Sequence, residues 1–222
     1  MIIRILLLFL VLIGNLDTIN GQSDYSIELL PQFNISKSIK KNQRLFFRTE
    51  PRFRLFDNNS APASYVRTDF FILYSLKISG DWQFAAGYTT RHSNTSIGHR
   101  FTQQFSTITK LENLRLAHRF MSDQTLFRNR PLSIRLRYRI GLELALQGET
   151  VDEKEFYLRF ANEYLLAYRK PNLDAEIRVF AGSGYVLSKF IRIEAGVDYR
   201  AENILSGFVN RFYLFQGLFL AF

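Results

Sequence analysis

The chain has 222 residues, a formal net charge of +9 from 29 basic and 20 acidic side chains, and no cysteine. Its mean hydropathy is -0.08, which excludes a multi-helix membrane protein, because that class needs several uncharged apolar runs of about 20 residues. The apolar fraction of 47% argues against a disordered chain. The absence of cysteine excludes a disulfide scaffold and a thiolate metal site.

The first 21 residues are typical of a secretory signal peptide. Arg4 precedes an apolar stretch from Ile5 to Ile13, and a small residue, Gly21, precedes Gln22. The apolar stretch is too short to span a bilayer, so we expect cleavage near Gly21 and not a retained anchor. Residues 1–21 are therefore predicted to be a signal peptide and residues 22–222 a single mature domain. Export argues against a nucleic-acid partner despite the basic charge.

Side chains of two kinds alternate along the mature chain. Between Gln43 and Phe56, odd positions such as Leu45 and Phe47 are apolar, whereas most even positions carry arginine or glutamate. A strand points alternate side chains to opposite faces, so this pattern predicts strands with one apolar and one ionic face. The alternation, strong or weak, marks eleven segments: Ile27–Lys37, Gln43–Phe56, Tyr65–Ile78, Trp82–His92, His99–Thr109, Asn113–Leu126, Ser133–Leu146, Glu155–Ala167, Ala175–Leu187, Phe190–Arg200 and Ser206–Phe222.

The length of these segments favours a membrane barrel. Ordinary strands have about 5–6 residues, whereas about 9–11 residues let a tilted strand cross a bilayer. We therefore predict an all-β, antiparallel, up-and-down transmembrane β-barrel with lipid outside and an ionic interior. Because single-chain bacterial barrels have even strand numbers, eleven segments indicate about twelve strands, with one missed near Gln22–Ser26, or alternatively ten. A soluble, lipocalin-like barrel is the other fold that alternation allows.

The last segment indicates the membrane concerned. Phe208, Phe212, Leu214, Leu218 and Phe222 share one face of this segment. A final amphipathic strand that ends in phenylalanine resembles the targeting signal of bacterial outer-membrane barrels. We therefore expect a porin-like protein of the Gram-negative outer membrane. Its expected partners are outer-membrane lipid and, through Phe222, the barrel-assembly machinery.

The C-terminal half also resembles a family of Gram-negative outer-membrane proteins, domain of unknown function 2490, over about residues 111–222. The resemblance lies in four motifs: Leu116-Ala117-His118-Arg119, Arg135-Leu136-Arg137-Tyr138-Arg139, Asn162-Glu163, and Arg178 followed by Gly182-Ser183-Gly184-Tyr185. Two positions depart from the family pattern, Met121 in place of a basic residue and Asp123 in place of glutamate. The resemblance implies an outer-membrane barrel and supplies no substrate.

The ionic face carries the candidate functional residues. The alternation predicts that ten arginines face the interior and are candidate anion-binding residues: Arg48, Arg52, Arg119, Arg135, Arg137, Arg139, Arg159, Arg178, Arg192 and Arg211. Seven carboxylates are predicted to face them as ion-pair partners: Glu50, Asp123, Glu143, Glu163, Glu176, Glu194 and Asp198. Ion pairs that fill the barrel and fix strand register predict a structural or weakly transporting protein. The basic surplus instead favours a small anion-preferring channel.

Catalysis is the third interpretation, and we do not expect it. An outer-membrane lipid-modifying or proteolytic enzyme would need a nucleophile beside a histidine at the barrel rim. Only His92 and His99, which flank a loop containing Ser93 and Ser96, approach that requirement, and such residues more often form an exposed polar loop. The third histidine, His118, adds no metal-ligand spacing, so neither a metal nor a cofactor is expected.

Overall fold

The computed structural model describes residues 24–57, 63–128 and 130–222. The predicted signal peptide lies outside these residues. Eleven strands are present: β1 (Asp24–Lys40), β2 (Gln43–Asp57), β3 (Ser64–Ser79), β4 (Trp82–His92), β5 (Ile97–Leu111), β6 (Leu114–Phe127), β7 (Ser133–Ala145), β8 (Phe156–Arg169), β9 (Asn172–Ser188), β10 (Ile191–Glu202) and β11 (Val209–Ala221). Within the described ranges, no helix is long and apolar enough to cross a membrane.

The strands close into one barrel in which every strand pairs with its neighbours along the chain. Consecutive strands pair antiparallel, whereas β1 and β11 pair in parallel, with Asp24 opposite Val209 and Ser36 opposite Ala221. A meander reverses direction at every turn, so the first and eleventh strands run the same way. Only a parallel pair can close such a barrel.

The predicted all-β barrel is therefore confirmed, with eleven strands where the even-number rule suggested twelve or ten. The barrel is mixed and not wholly antiparallel as predicted, because β1 and β11 pair in parallel. Each of the eleven alternating segments corresponds to one strand, and Trp82–His92 coincides with β4 at both ends. No separate strand precedes β1 within the described residues, since Ser26 already belongs to β1. The expectation of a twelfth strand came from the even-number rule and not from the alternation of side chains.

The two ends of the barrel differ in their connections. The β1–β2, β3–β4, β5–β6 and β9–β10 turns have two residues each and lie at one end, which we call the short-turn end. This end also holds a longer connection between β7 and β8. At the opposite end, which we call the long-loop end, the β4–β5 and β10–β11 connections have four and six residues, the bounds of the strands leave five or more residues for β2–β3 and β6–β7, and the β8–β9 turn has two.

Polar and apolar side chains separate between the two faces of the wall. Large apolar side chains are exposed on the outer face all round the barrel, for example Phe70 on β3, Phe120 on β6 and Val197 on β10. The inner face also contains two small apolar clusters. Leu30, Ala161, Phe180, Tyr213 and Phe215 form one of them, and the other contains Phe71, Leu73 and Ala85.

Glycine allows the first apolar cluster to form against the wall. Gly182 of β9 lies directly opposite Gly196 of β10, and the Phe180 ring lies over this pair. A Cβ atom at Gly182 would lie 2.8 Å from Cζ of Phe180, and one at Gly196 would lie 3.0 Å from the same atom. The missing side chains thus give the inward-pointing aromatic ring its space.

Candidate functional site

The inner face surrounds a polar cavity of about 780 Å³. Sixteen arginines and seven carboxylates line it. None of the chain's eight lysines is among the cavity-lining residues. The guanidinium group is planar and bonds two carboxylates or one carboxylate bidentately, which suits a crowded interior better than a strongly hydrated ammonium group.

The structure places the predicted site residues on this inner face. Thirteen of them line the cavity: Arg48, Arg52, Arg119, Arg135, Arg137, Arg139, Arg159, Arg178, Arg211, Glu50, Glu163, Glu176 and Asp198. The other four form ion pairs, and two of them, Asp123 and Glu194, pair with arginines that line the cavity. Asp123 pairs with Arg135 and Arg137, Glu194 pairs with Arg159, and Glu143 lies 4.0 Å from Arg192.

Asp123 is the most deeply buried of these carboxylates, with no exposed surface. Its Oδ2 atom lies 3.0 Å from a terminal guanidinium nitrogen of Arg135 and 3.0 Å from one of Arg137. The Thr102 hydroxyl donates a hydrogen bond to the other carboxylate oxygen at 2.7 Å. One carboxylate of β6 therefore holds two arginines of β7 and a hydroxyl of β5 in fixed positions.

Glu163 of β8 is shared among three arginines from three other strands. Its carboxylate lies 3.7 Å from Arg119, 3.3 Å from Arg137 and 3.2 Å from Arg178. Arg178 also bonds Glu176 at 2.5 Å. Such a shared carboxylate leaves positive charge incompletely compensated on the β6 and β7 side.

Aromatic rings support other guanidinium groups. Arg159 lies over the Phe180 ring at 5.3 Å, and Arg48 lies over Phe71 at 4.9 Å. Arg200 lies 4.1 Å from the centre of the Tyr213 ring. These cation–π contacts connect the ionic network to the two apolar clusters.

Strand register lines up five arginines and one glutamate across six neighbouring strands. We call this set the arginine row: Arg119, Arg139, Glu163, Arg178, Arg200 and Arg211, each directly opposite the next. Like charges that lie directly opposite each other on paired strands are destabilising. Carboxylates from positions next to the row offset this repulsion on β9 to β11, where Arg200 bonds Asp198 at 2.7 Å and Arg211 bonds Glu28 at 2.9 Å.

Several residues of the network were missed by the sequence-based prediction. Among them, Asp69 of β3 bonds Arg91 at 2.7 Å and lies 3.6 Å from Arg67. The inward-pointing Phe71 and Leu73 make the run from Phe70 to Leu73 apolar on both faces, which hides the alternation of β3. Arg200 does follow the alternation of β10, so the pattern alone could have found it.

The candidate catalytic loop has a different arrangement. The Ser93 hydroxyl lies 3.0 Å from the Ser96 hydroxyl, and Nδ1 of His99 lies 2.5 Å from the Tyr88 hydroxyl. The His92 ring packs edge-on against Phe70. No serine–histidine hydrogen bond forms in the described part of this loop. Among all the residues that the structure describes, no group of three or more histidine or acidic side chains could hold a metal ion.

Fold and interior together define a closed β-barrel with an apolar outer face and an arginine-rich inner face. A family model described as "Protein of unknown function (DUF2490)" matches residues 29–211, so the chain belongs to this family. The match extends further towards the N-terminus than the resemblance over residues 111–222. Searches of curated proteins and of solved structures found no match.

Proposed function

We propose that the protein is a β-barrel of the Gram-negative outer membrane with a structural or weakly transporting role. The apolar outer face carries this proposal. All eleven strands place large apolar side chains on exposed outer positions, from Tyr25 and Ile39 on β1 to Phe212 and Leu214 on β11. Monomeric soluble proteins rarely expose continuous apolar patches larger than a few hundred Å². An ionic inner face and an apolar outer face are the arrangement that lipid requires.

Aromatic pairs near both ends of the barrel support the same proposal. Trp82 stacks on Phe105 at 4.8 Å near the short-turn end, and Tyr25 stacks on Phe56 at 5.4 Å near the long-loop end. Aromatic side chains form girdles at the two interfaces of outer-membrane barrels. Periplasmic connections in that class are short. Four of the five connections at the short-turn end have two residues, against one of five at the other end, so we assign the short-turn end to the periplasm.

Electrophoretic mobility tests the proposed membrane fold. The mature protein, refolded into phospholipid vesicles, is expected to migrate differently before and after boiling, and to float with the vesicles in a density gradient. Full solubility without detergent, together with unchanged mobility after boiling, contradicts the proposal. That outcome instead favours a soluble barrel.

A second candidate function, a small anion-preferring channel, is favoured by the composition of the cavity wall. The lining contains sixteen arginines and only seven carboxylates, which leaves a positive surplus. Excess positive charge in a narrow space raises the local concentration of anions. In planar bilayers under a salt gradient, the reversal potential should then indicate anion preference. Absence of steady conductance, or a cation preference, contradicts the channel and leaves the structural role.

A further inference from the structure

We infer that the interior contains a binding site for a small multivalent oxyanion of the phosphate class, at the β6–β7 end of the arginine row. This inference goes beyond the proposed function, because a bound anion requires neither conduction nor a membrane. The residues that form the site are Arg119, Arg139 and Arg159, with Arg48 on the opposite wall.

Arg139 has no ion-pair partner in the described chain, and its neighbour Arg119 shares its carboxylate with two other arginines. Arg119 and Arg139 lie directly opposite each other on β6 and β7. Within the described chain, no carboxylate lies within 4.0 Å of the Arg139 guanidinium, and no hydrogen bond reaches it. Two carboxylates attract Arg139 from a greater distance, Glu163, which lies directly opposite it, and Asp198. Glu163 already pairs with three other arginines, and Asp198 pairs with Arg200. Arg139 thus differs from Arg178, Arg200 and Arg211, which each have a carboxylate at 2.5–2.9 Å.

Two further guanidinium groups of the cavity lining act electrostatically on this pair. Arg159 repels Arg139 along the wall, and Arg48 repels Arg119 across the interior. The side chains of Arg48, Arg119 and Arg159 keep 34%, 32% and 30% of their surfaces exposed to the cavity. The buried Nε atom of Arg119 also has no hydrogen-bond partner in the described structure.

The wall beside these arginines is made of small residues. The next inward positions towards the short-turn end are Ala117, Gly141 and Ala161, which lie directly opposite one another on β6, β7 and β8. A Cβ atom at Gly141 would meet nothing closer than Ala117, at 4.0 Å. Beyond these three residues lies Arg159. The small side chains leave room for a ligand between two levels of guanidinium groups.

This arrangement matches a phosphate-type ligand. Guanidinium groups bond phosphate oxygens bidentately. The four arginines have only three carboxylates within ion-pair distance, Glu50, Glu163 and Glu194, and the first two of these also pair with other arginines. The remaining positive charge favours an anion that carries more than one negative charge. A tetrahedral oxyanion can accept hydrogen bonds from arginines on two walls at once. Chloride, with one charge and no directed acceptors, satisfies fewer of these donors.

Calorimetric titration of the folded barrel in detergent with inorganic pyrophosphate, at constant ionic strength, tests the site. We expect saturable binding of one pyrophosphate per chain. Arg139→Gln and Arg119→Gln should each weaken binding at least tenfold. Gly141→Leu should also weaken binding at least tenfold without changing the charge, because the leucine side chain would fill the space beside the arginines. Arg169→Gln is the matched control, because Arg169 also lines the cavity but is exposed at the long-loop end of β8. This variant should change binding less than twofold.

Thermal unfolding distinguishes a ligand site from a structural ion pair. Without pyrophosphate, Arg139→Gln should unfold at the same or a higher temperature than the unmodified protein, because it removes a like-charge contact. Saturating pyrophosphate should raise the unfolding temperature of the unmodified protein and of the Arg169→Gln control equally, and that of the Arg139→Gln variant much less. Absence of saturable binding, equal binding by the Arg139→Gln variant, or a lower unfolding temperature of that variant without ligand overturns the inference. Vesicle flotation of each variant shows separately whether the membrane fold is retained.

Discussion

Asp123 shows how one buried carboxylate can organise a barrel wall. Its two oxygens bond Arg135, Arg137 and Thr102 on the two neighbouring strands. A buried ion pair adds little net stability over an apolar replacement, because both charges lose their hydration. Removal of only one partner is costly, however, since the remaining charge stays buried without compensation.

We therefore predict that Asp123→Asn destabilises the barrel by about 3–5 kcal/mol, because it leaves two arginines without their shared carboxylate. Urea unfolding in lipid or detergent, followed by circular dichroism, measures this loss. Glu149→Gln in the exposed β7–β8 connection removes the same charge and should change stability by less than about 0.5 kcal/mol. A loss below about 1 kcal/mol for Asp123→Asn would show that the arginines find other partners.

The limits of sequence-based prediction at the residue scale are visible in the ion pairs. Alternation puts the charged side chains of a strand on one face, because the side-chain period of a strand is two residues, and thirteen of the seventeen candidate residues line the cavity. It could not show which carboxylate each arginine bonds. Glu163 reaches arginines on three strands, and Arg211 bonds Glu28, which is 183 positions away in the chain. Such pairs depend on register between strands and on closure of the barrel.

At the scale of elements, the close contact of β9 and β10 depends on paired glycines. A Cβ atom at Gly196 would lie 2.5 Å from the backbone oxygen of Ala181 and 2.8 Å from Cα of Gly182. The alternation gives no sign of this contact, since glycine belongs to neither the apolar nor the ionic set. Two glycines on separate strands become a pair only after the register is known.

We predict that Gly196→Ala destabilises the barrel by about 1–3 kcal/mol, because the backbone atoms that it meets cannot move without disturbing the sheet. Gly141→Ala is the matched control, since it also adds one methyl group to the inner face of a central strand. At Gly141 the nearest atoms are 4.0 Å away, so this change should be neutral or stabilise by up to about 1 kcal/mol. Unfolding midpoints of the two variants, compared under identical conditions, give the result. Equal destabilisation by both changes contradicts the argument.

The way in which the first and last strands pair to close the barrel is the feature that the sequence predicted least well. The eleven segments came directly from the alternation, whereas the expectation of an even number came from other barrels. The parallel contact between β1 and β11 continues through backbone hydrogen bonds next to the paired strands, where Phe222 N donates to Ser36 O at 2.9 Å. Side-chain alternation is the same for parallel and antiparallel neighbours, so no pattern within one strand distinguishes the two kinds of closure.

At the scale of the whole molecule, the barrel reverses the usual distribution of polar and apolar surface. A soluble protein buries its apolar side chains and places its charges in water. In this barrel, the arginines and carboxylates lie inside, and the outer face exposes apolar side chains on every strand. The near-zero mean hydropathy is the average of these two populations. The environment that contacts the outer face therefore decides whether a charge placed there is tolerated.

Val197 provides a direct measurement of that environment. It lies on the outer face near the middle of β10, with 43% of its surface exposed. If lipid surrounds the barrel, Val197→Arg should reduce stability in phospholipid vesicles by about 2–4 kcal/mol, the cost of an arginine near the bilayer midplane. Leu205→Arg is the control, because Leu205 is equally apolar and 61% exposed but lies in the β10–β11 loop. It should change stability by less than about 0.5 kcal/mol. Equal, small effects of both substitutions would mean that water contacts the middle of β10, which contradicts the membrane proposal.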